Sequence, residues 1–253
     1  MSRVYYNEWN AFAAQALRNL IDAGHLPAGD VDERSIVDVA PSDLAGYTQC
    51  HFFAGVGGWA LAARLAGWPD DRELWTGSCP CQPYSIAGLG LGHDDPRDLW
   101  PHQFRLIKAR RPAVWFGEQV KDAIRYGWSD RLFDDMEGED YACWQKVLPA
   151  SAVGAPAERY RLWIVTDRDG TGGQGLEPSG SISTAGQWQW RGEEDLRKIY
   201  AAPTASAKWP QPIICSLEDG IPSSRMDQLH AFGNAIVPQE AAEIIAAYMG
   251  GPL

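Results

Sequence analysis

Long apolar runs are missing from this 253-residue chain, so nothing in it reads as a membrane span or as the core of a secretory leader. Cysteine is scarce and odd in number: Cys50, Cys79, Cys81, Cys143 and Cys215. Without a secretion signal, that count points to a reduced, cytosolic setting in which a special cysteine is reactive rather than bridged. Positive charge is also short, with 22 Lys and Arg against 33 Asp and Glu and a formal net charge of -11. This excludes a generally basic, clinging surface and leaves room only for a local basic face. Repeats and low-complexity tracts are absent too. What remains is a chain with 45% apolar residues, enough to bury one good core and a small appendage. Its twelve tryptophans are many for this length, and packing is the default account of each.

Strand-like and helical patterns alternate along the chain. Residues 1–9 read as a strand, and Asn10 to Ala23 as a helix that puts Phe12, Ala16, Leu17, Leu20 and Ile21 on one face before a stop at Gly24. A short strand is expected near Asp30, and "DERSIVDVAPSDLAG" reads as a polar, proline-punctuated connector. In "YTQCHFFAGVGGWALAARLAGW" an apolar strand ends at Phe53, a glycine-rich turn follows, and a helix runs to Gly67. "ELWTGSCPCQPYS" is a strand entering a loop, "LWPHQFRLIKARR" a helix, "PAVWFGEQV" a buried strand ending on an acid, and "YRLWIVTD" a further strand. Periodicity then fades until "VPQEAAEIIAAYMG", a helix with Pro238 near its start and Gly250 after its end. Alternation of this kind predicts a three-layer α/β sheet.

Five stretches carry chemistry-bearing residues. The glycines of "FAGVGG" let backbone approach a ligand at a helix N-terminus, although a tight turn with no ligand uses the same residues. "GSCPCQPYSIAG" follows a strand and would hold the Cys81 sulfur at the sheet's C-terminal edge, where ligands bind in such folds. A nucleophilic thiolate there needs a nearby cation or helix N-terminus to lower its pKa. A metal pair at "CPC" lacks the second Cys/His cluster that zinc requires. Glu118 ends a buried strand in "FGEQV"; an ordinary strand-end carboxylate is the plain alternative. Arg159 and Arg161 alternate along one strand and so share a face, where each alone would be a surface ion-pair partner. "HAFGNAIVP" brings Asn234 and Ala235 before the last helix.

Together these stretches resemble the DNA cytosine-5 methyltransferase family over nearly everything outside residues 168–228. "FAGVGG" looks like its cofactor loop, "PCQP" its nucleophile loop and "DDPRDL" its Asp-x-Arg element. "EQV" stands where the family has Glu-Asn-Val, "RYR" matches Arg-x-Arg, and "GNAIVP" matches the motif before the final helix. The resemblance implies a Rossmann-like S-adenosylmethionine-dependent fold acting on double-stranded DNA as a monomer, with S-adenosylhomocysteine as product. It assigns Cys81 as the nucleophile on C6 of a flipped cytosine and Glu118 as the group at N3, with Arg161 steadying the base and Arg159 supporting the loop or a phosphate. Phe53, Gly55, Val56, Gly57, Gly58, Pro80, Asn234 and Ala235 would line the cofactor, and Gln82, Ser85, Arg97 and Gln119 the DNA side.

Two departures from the family pattern matter. Only 28 residues separate Phe53 from Cys81, where the family inserts a ribose-binding and an adenine-binding strand. Matching segments stand at the front instead: "VYYNEWNAFAAQALRNL" resembles the Asn-Glu-aromatic segment, and "AGDVDERSI" the Gly-Asp element. The unit order therefore looks circularly permuted. Glu8 would accept from the ribose hydroxyls, Trp9 would stack on the adenine and Asp30 would accept from its amino group. The second departure is Gln119 in place of Asn, which moves an amide by one methylene.

Domain organisation follows from the same comparison: a catalytic unit of residues 1–167 and 229–253, and a small loop-rich target-recognition region at 168–228. There Trp188, Trp190 and Arg191, with Gln187 and Gln189, are candidates for base contact, against simple packing of the tryptophans. The compact plan resembles enzymes of restriction-modification systems and of phages and prophages, working in the cytoplasm of a bacterial or phage-infected cell. The competing readings are an RNA (tRNA) methyltransferase of the same family, an inactive DNA-binding relic, and an enzyme using another one-carbon donor.

Overall fold

A computed structural model describes residues 3–80, 97–150, 159–168 and 236–250 of the chain. Its centre is a seven-stranded sheet in the order β2-β1-β3-β4-β5-β7-β6. The strands are β1 (Val4–Asn7), β2 (Gly29–Asp32), β3 (Gln49–Phe52), β4 (Leu74–Gly77), β5 (Val114–Val120), β6 (Ala142–Pro149) and β7 (Tyr160–Asp167). Neighbours from β2 to β5 are parallel, whereas β7 runs antiparallel to both β5 and β6. If β3 is numbered first and β1, β2, β4 and β5 follow it, the first five positions read 3-2-1-4-5, the order of a doubly wound nucleotide-binding sheet.

Among the described residues the α-helices are α1 (Ala11–Asp22), α2 (Gly58–Leu65), α3 (Trp100–Arg110), α4 (Trp128–Glu137) and α5 (Pro238–Tyr248). Helix α1 begins where the Asn10 side chain accepts from the Ala13 N–H at 3.1 Å. It ends before Gly24, whose φ of 77° the other residues rarely adopt. Strand alternation sends Val4 and Tyr6 to one face of the sheet and Tyr5 to the other. Val4 and Tyr6 join Leu17 and Leu20 of α1, and Phe116 and Trp163 join α2 and α5. Tyr5, Trp75, Trp115 and Leu162 pack on the opposite face under α3 and α4.

That second face holds a tryptophan cluster, with Trp100 at 5.5 Å from Trp115 and 6.0 Å from Trp128, centroid to centroid. Such pairs are worth ~1 kcal/mol each beyond their buried area. Among the described residues eight tryptophans are buried, which supports the packing account; Trp9 is the exception there.

Two elements lie in a stretch that sequence periodicity leaves unassigned, α4 and β6. Helix α4 buries Trp128, Leu132 and Met136, spaced four apart, behind a run of acids on its outer side. The connector between β2 and β3 also does more than link. It forms two short 3₁₀ turns, Ile36–Asp38 and Pro41–Leu44, and sinks Ile36, Val39 and Leu44 into the core beside α3. Arg105 of α3 fastens it by donating to the Val39 carbonyl at 2.7 Å. The chain thus returns from the sheet edge past β1 to its centre under a well-packed cover.

Candidate active site

The turn after β3 alternates left-handed residues: Phe53 at φ 52°, Gly55 at 56° and Gly57 at 84°. A bulky residue at positive φ is uncommon, and Phe53 marks a loop held by its surroundings. At Gly57 a Cβ would meet Leu26 Cδ1 at 2.4 Å, so conformation and space both demand glycine there. Beside Gly55 a Cβ would meet nothing within 4 Å, which leaves open space at the entry to α2.

Glu8 ties the start of the chain to this turn. Its Oε2 accepts from the Gly55 N–H and its Oε1 from the Asn10 N–H, both at 2.8 Å. The Ala54 N–H donates to the Asn7 carbonyl at 3.0 Å, and the Glu8 N–H to the Asp32 carbonyl at 3.0 Å. Burial raises the Glu8 pKa, while the two backbone donors pull against that rise. Each carboxylate oxygen has one lone pair engaged and a second in hand. The adjoining Trp9 is 76% exposed, unlike any buried tryptophan of the core.

Asp30 is not brought up to Glu8. It lies level with Tyr5 and, across β1, with Cys50, two residues before the end of β2. Its carboxylate accepts from the Tyr47 hydroxyl at 2.6 Å and pairs with Arg3. The acid at the strand end is Asp32, opposite Asn7. Asp32 accepts from Tyr5 at 2.7 Å and from the Nε and Nη2 of Arg34. Those donors outweigh its burial and lower its pKa. Asp30 and Asp32 line one cavity of about 520 Å³ over β2 with Tyr5, Val31 and Tyr47.

At the other end of the parallel sheet, Glu118 of β5 faces Trp163 of β7, and Val120 faces Arg161. Alternation puts Glu118 and Trp163 on the face covered by α2 and α5, where the Arg161 side chain meets Glu118. Glu118 is only 7% exposed, and its Oε1 accepts from the Arg161 Nε at 2.7 Å. Ser78, after β4, donates its hydroxyl to Glu118 and accepts from the Trp59 Nε1–H at 3.0 Å. Burial raises the Glu118 pKa despite the lowering by Arg161, Arg159 and Ser78. The result is a carboxyl that holds a proton more readily than usual beside two fixed cations, a suitable donor to a base nitrogen.

Gln119 points to the opposite face. Its Nε2 donates to the Cys79 carbonyl at 3.1 Å while its Oε1 accepts from the Val120 N–H at 2.9 Å. The longer amide therefore still reaches the loop after β4. The Cys79 thiol is buried against Gln103 Oε1 at 3.3 Å, and burial pushes its pKa well up, as befits an inert packing cysteine. Pro80 follows at the end of that described segment, and Arg97 is exposed just before α3. Val56 is buried in the glycine turn. Cys81, Gln82, Ser85, Trp188, Trp190, Arg191, Asn234 and Ala235 lie outside the described residues.

Sequence patterns do not single out Ser78, Trp59, Asp32 or Glu240, which the fold adds to the neighbourhood. Ser78 had a signal, being the residue between the β4 strand and the cysteine loop. The others depend on partners far away in sequence.

Sheet order, glycine turn and edge carboxylate together define a Rossmann-like methyltransferase fold. Residues 64–185, just under half of the chain, match the family described as C-5 cytosine-specific DNA methylase. Type II methyltransferase M.HaeII of Haemophilus aegyptius is 27% identical over 166 residues, covering 64% of this chain and 42% of the relative. M.HgiCII of Herpetosiphon aurantiacus is 28% identical over 154 residues, 45% of this chain and 35% of its own length. M.AquIA of Picosynechococcus is 32% identical over 123 residues, 44% of this chain and 50% of the relative. The chain thus spans half or less of these curated relatives' lengths. Among solved structures, a mutant of Spodoptera frugiperda DNMT2 superposes with a TM-score of 0.54 at 12% identity, over 98% of this chain and 99% of that one. That likeness concerns the fold. Among the described residues, no helix is long and apolar enough to cross a membrane.

Proposed function

We propose that this chain is an S-adenosylmethionine-dependent DNA cytosine-5 methyltransferase acting on a cytosine flipped from double-stranded DNA. The observation that carries the reading is the cluster at the C-terminal ends of β4 and β5. There Glu118 is buried, paired with Arg161 and bonded to Ser78, and Gln119 grips the Cys79 carbonyl two residues before Cys81 in sequence.

C5 of cytosine is a weak nucleophile, and attack of a thiolate at C6 converts the ring to an enamine. In this reading the Cys81 sulfur forms a bond to C6 while Glu118 donates a proton or hydrogen bond to N3 and takes up the developing charge. Arg161 holds Glu118 in place, and Arg159 adds positive potential beside it. Once C5 of the enamine carries the methyl group, the donor having left as the thioether S-adenosylhomocysteine, loss of the C5 proton to water returns electrons to the ring and expels the thiolate. A base stacked in a duplex does not reach such a pocket, hence the flip.

S-adenosylmethionine, when bound, supplies the electrophilic methyl group. Its fit is supported by the open space at Gly55, the exposed Trp9 ring and the free lone pairs of Glu8. Phe53, Gly55, Val56, Gly57 and Gly58 would cradle it, Pro80 bordering the methyl side. Glu8 would take the ribose and Trp9 the adenine. For the adenine amino group, Asp32 at the strand end competes with Asp30. The sheet order obtained by placing β3 ahead of β1 and β2 supports reading the chain as a permuted DNA cytosine-5 methyltransferase, with target recognition in residues 168–228 and the rest catalytic.

The test is methyl transfer from labelled S-adenosylmethionine to duplex DNA, followed by bisulfite sequencing of host DNA after expression. A covalent complex with 5-fluorocytosine duplex is expected for the wild type and not for C81A. Methyl transfer to tRNA alone would overturn the DNA reading, and no S-adenosylmethionine binding would overturn the choice of donor.

A further inference from the structure

Behind the candidate active site lies a second carboxyl group that the proposed chemistry does not use. Glu240, in the first turn of α5, is 0% exposed. Its Oε1 accepts from the Trp163 Nε1–H at 2.8 Å, and its Oε2 has no hydrogen-bond partner among the described residues. A buried, half-satisfied carboxylate is costly, and such a group keeps a proton unless its surroundings repay the charge.

Trp163 connects it to the site. The indole stands directly opposite Glu118 in the β5–β7 ladder, on the same face as Arg161. It meets Trp59 edge to face at 5.6 Å, and Trp59 donates to Ser78, the residue that donates to Glu118. Glu240, Trp163, Trp59, Ser78 and Glu118 thus form a closed set of buried contacts between α5, α2 and the sheet.

We propose that Glu240 is a positioning residue for the Glu118–Arg161 pair, an internal acid that pins Trp163 behind Glu118 and whose ionisation is coupled to that of Glu118. The proposal rests on the reading of Glu118 as the active-site carboxyl.

The charged groups that bear on Glu240 come from each element around it. Glu118 of β5 raises its proton affinity, and Arg159, just before β7, and Arg161 of β7 lower it. On α5 itself Glu243 sits one turn on, with its own pKa raised by burial. From α2, Arg64 is turned away and donates to the Gly24 carbonyl at 2.8 Å. Burial dominates, and the Glu240 pKa is pushed up to about 7. Coupling of this kind is reciprocal: whatever a charge on Glu118 does to Glu240, a charge on Glu240 does to Glu118. Ionised Glu240 therefore helps Glu118 keep the proton it would offer to the base.

The experiment uses the whole chain labelled with 15N-tryptophan, the Trp163 indole resonance being assigned by its loss in W163F. In the wild type this resonance should move with pH, with a midpoint near neutrality. In E240Q, which keeps an acceptor for the indole, it should stay still. In E118Q the midpoint should fall by about half to one pH unit, the range expected for losing one nearby like charge. In single-turnover methyl transfer, the alkaline limb of the E240Q profile should move down by the same amount. A Trp163 resonance that ignores pH in the wild type, or a midpoint unmoved in E118Q, would overturn the coupling. A wild type without methyl transfer but with the coupled titration would instead sink the assignment of function and leave the buried acid pair standing.

Discussion

Around β1 and β3, polar groups at the sheet edge are held by backbone or left facing solvent, whereas around β5 and β7 they are sunk among tryptophans and satisfied by one another. Glu8 is anchored by two main-chain N–H groups beside open space at Gly55, next to an exposed Trp9. Glu118 is enclosed by Arg161, Ser78 and, one layer back, Trp59 and Trp163. On the proposed reading, one wing is completed by what it binds and the other is assembled before anything arrives. Preassembly is what charge stabilisation in a transition state requires, because dipoles already in place need no reorganisation. Substitutions on the β5–β7 wing should therefore damage stability and chemistry together, and those on the β1–β3 wing mainly affinity.

The hardest blow to that contrast is Glu118→Ala. It leaves the Arg161 guanidinium, largely buried, without its carboxylate, and removes the proposed donor to the base. Methyl transfer should fall by about 10³-fold, in the range for a lost general acid. Stability should drop by about 3 kcal/mol, as when one member of a buried pair is removed. Single-turnover kinetics and thermal melts check both. A variant that melts like the wild type would show that the β5–β7 wing is not interlocked.

Next comes Gly57→Ala, the exception that sharpens the rule, because it is a structural lesion on the ligand wing. The left-handed φ of 84° and the 2.4 Å approach of Leu26 act together, and a loss of about 2–3 kcal/mol is expected. For a chain of this size that is roughly a 5–10 °C fall in Tm. Gly55→Ala, with the same handedness but no crowding, should lose less.

Glu240 gives the pH dependence of the preassembled wing. Its folded pKa, about 7, lies above the ordinary carboxyl value, so the native state binds the proton more tightly than the unfolded chain. Its contribution to stability is complete at pH below the unfolded value and is lost as pH rises through about 7. Glu240→Gln abolishes that loss. Relative to wild type, the variant should gain about 2 kcal/mol between pH 5 and pH 8, measured by denaturant unfolding. Equal slopes of stability against pH in the two proteins would show that Glu240 is already ionised in the fold.

Much of this architecture is legible in the chain. The glycine turn, the strand-end acid in "FGEQV", the alternating arginines and the N-terminal strand that completes the sheet all show as local patterns. The turn and strands are local because φ preferences and side-chain alternation act over a few residues. Helix α4 carried a readable four-residue spacing, masked by Asp130, Asp134 and Glu137 on its wet side. Other features have no local signature. The Trp163–Glu240 bond joins residues 77 apart, and Trp59 meets Ser78 only because α2 folds over β4. Asp30 and Asp32 have the same chemistry two positions apart, and only strand register decides which reaches the edge.

On the ligand wing, Glu8→Ala should weaken S-adenosylmethionine binding by about tenfold, roughly 1.4 kcal/mol, with a smaller change in Tm. The Gly55 and Asn10 N–H groups lose their acceptor, yet both lie near solvent and can turn to water. Trp9→Ala should cost affinity alone, since the exposed ring supports nothing in the fold. Calorimetric titration of both variants separates these effects. A Trp9 variant that melts early would mean that this ring packs against residues outside the described segments.

The smallest expected effect tests the join between the wings, at Gln119→Asn. The shorter amide restores the residue found in the family pattern but must span the distance to the Cys79 carbonyl, now 3.1 Å from the Gln119 Nε2, with one methylene fewer. If β5 is placed for glutamine, Asn leaves the carbonyl to water or to a strained reach, and the loss should be about 0.5–1 kcal/mol, the net worth of a single neutral hydrogen bond. Because that carbonyl precedes Cys81 by two residues, the consequence should show in the rate of covalent complex formation with 5-fluorocytosine DNA more than in Tm. A faster complex in the Asn variant would show that the β5 edge tolerates either amide and that the methylene serves some other contact.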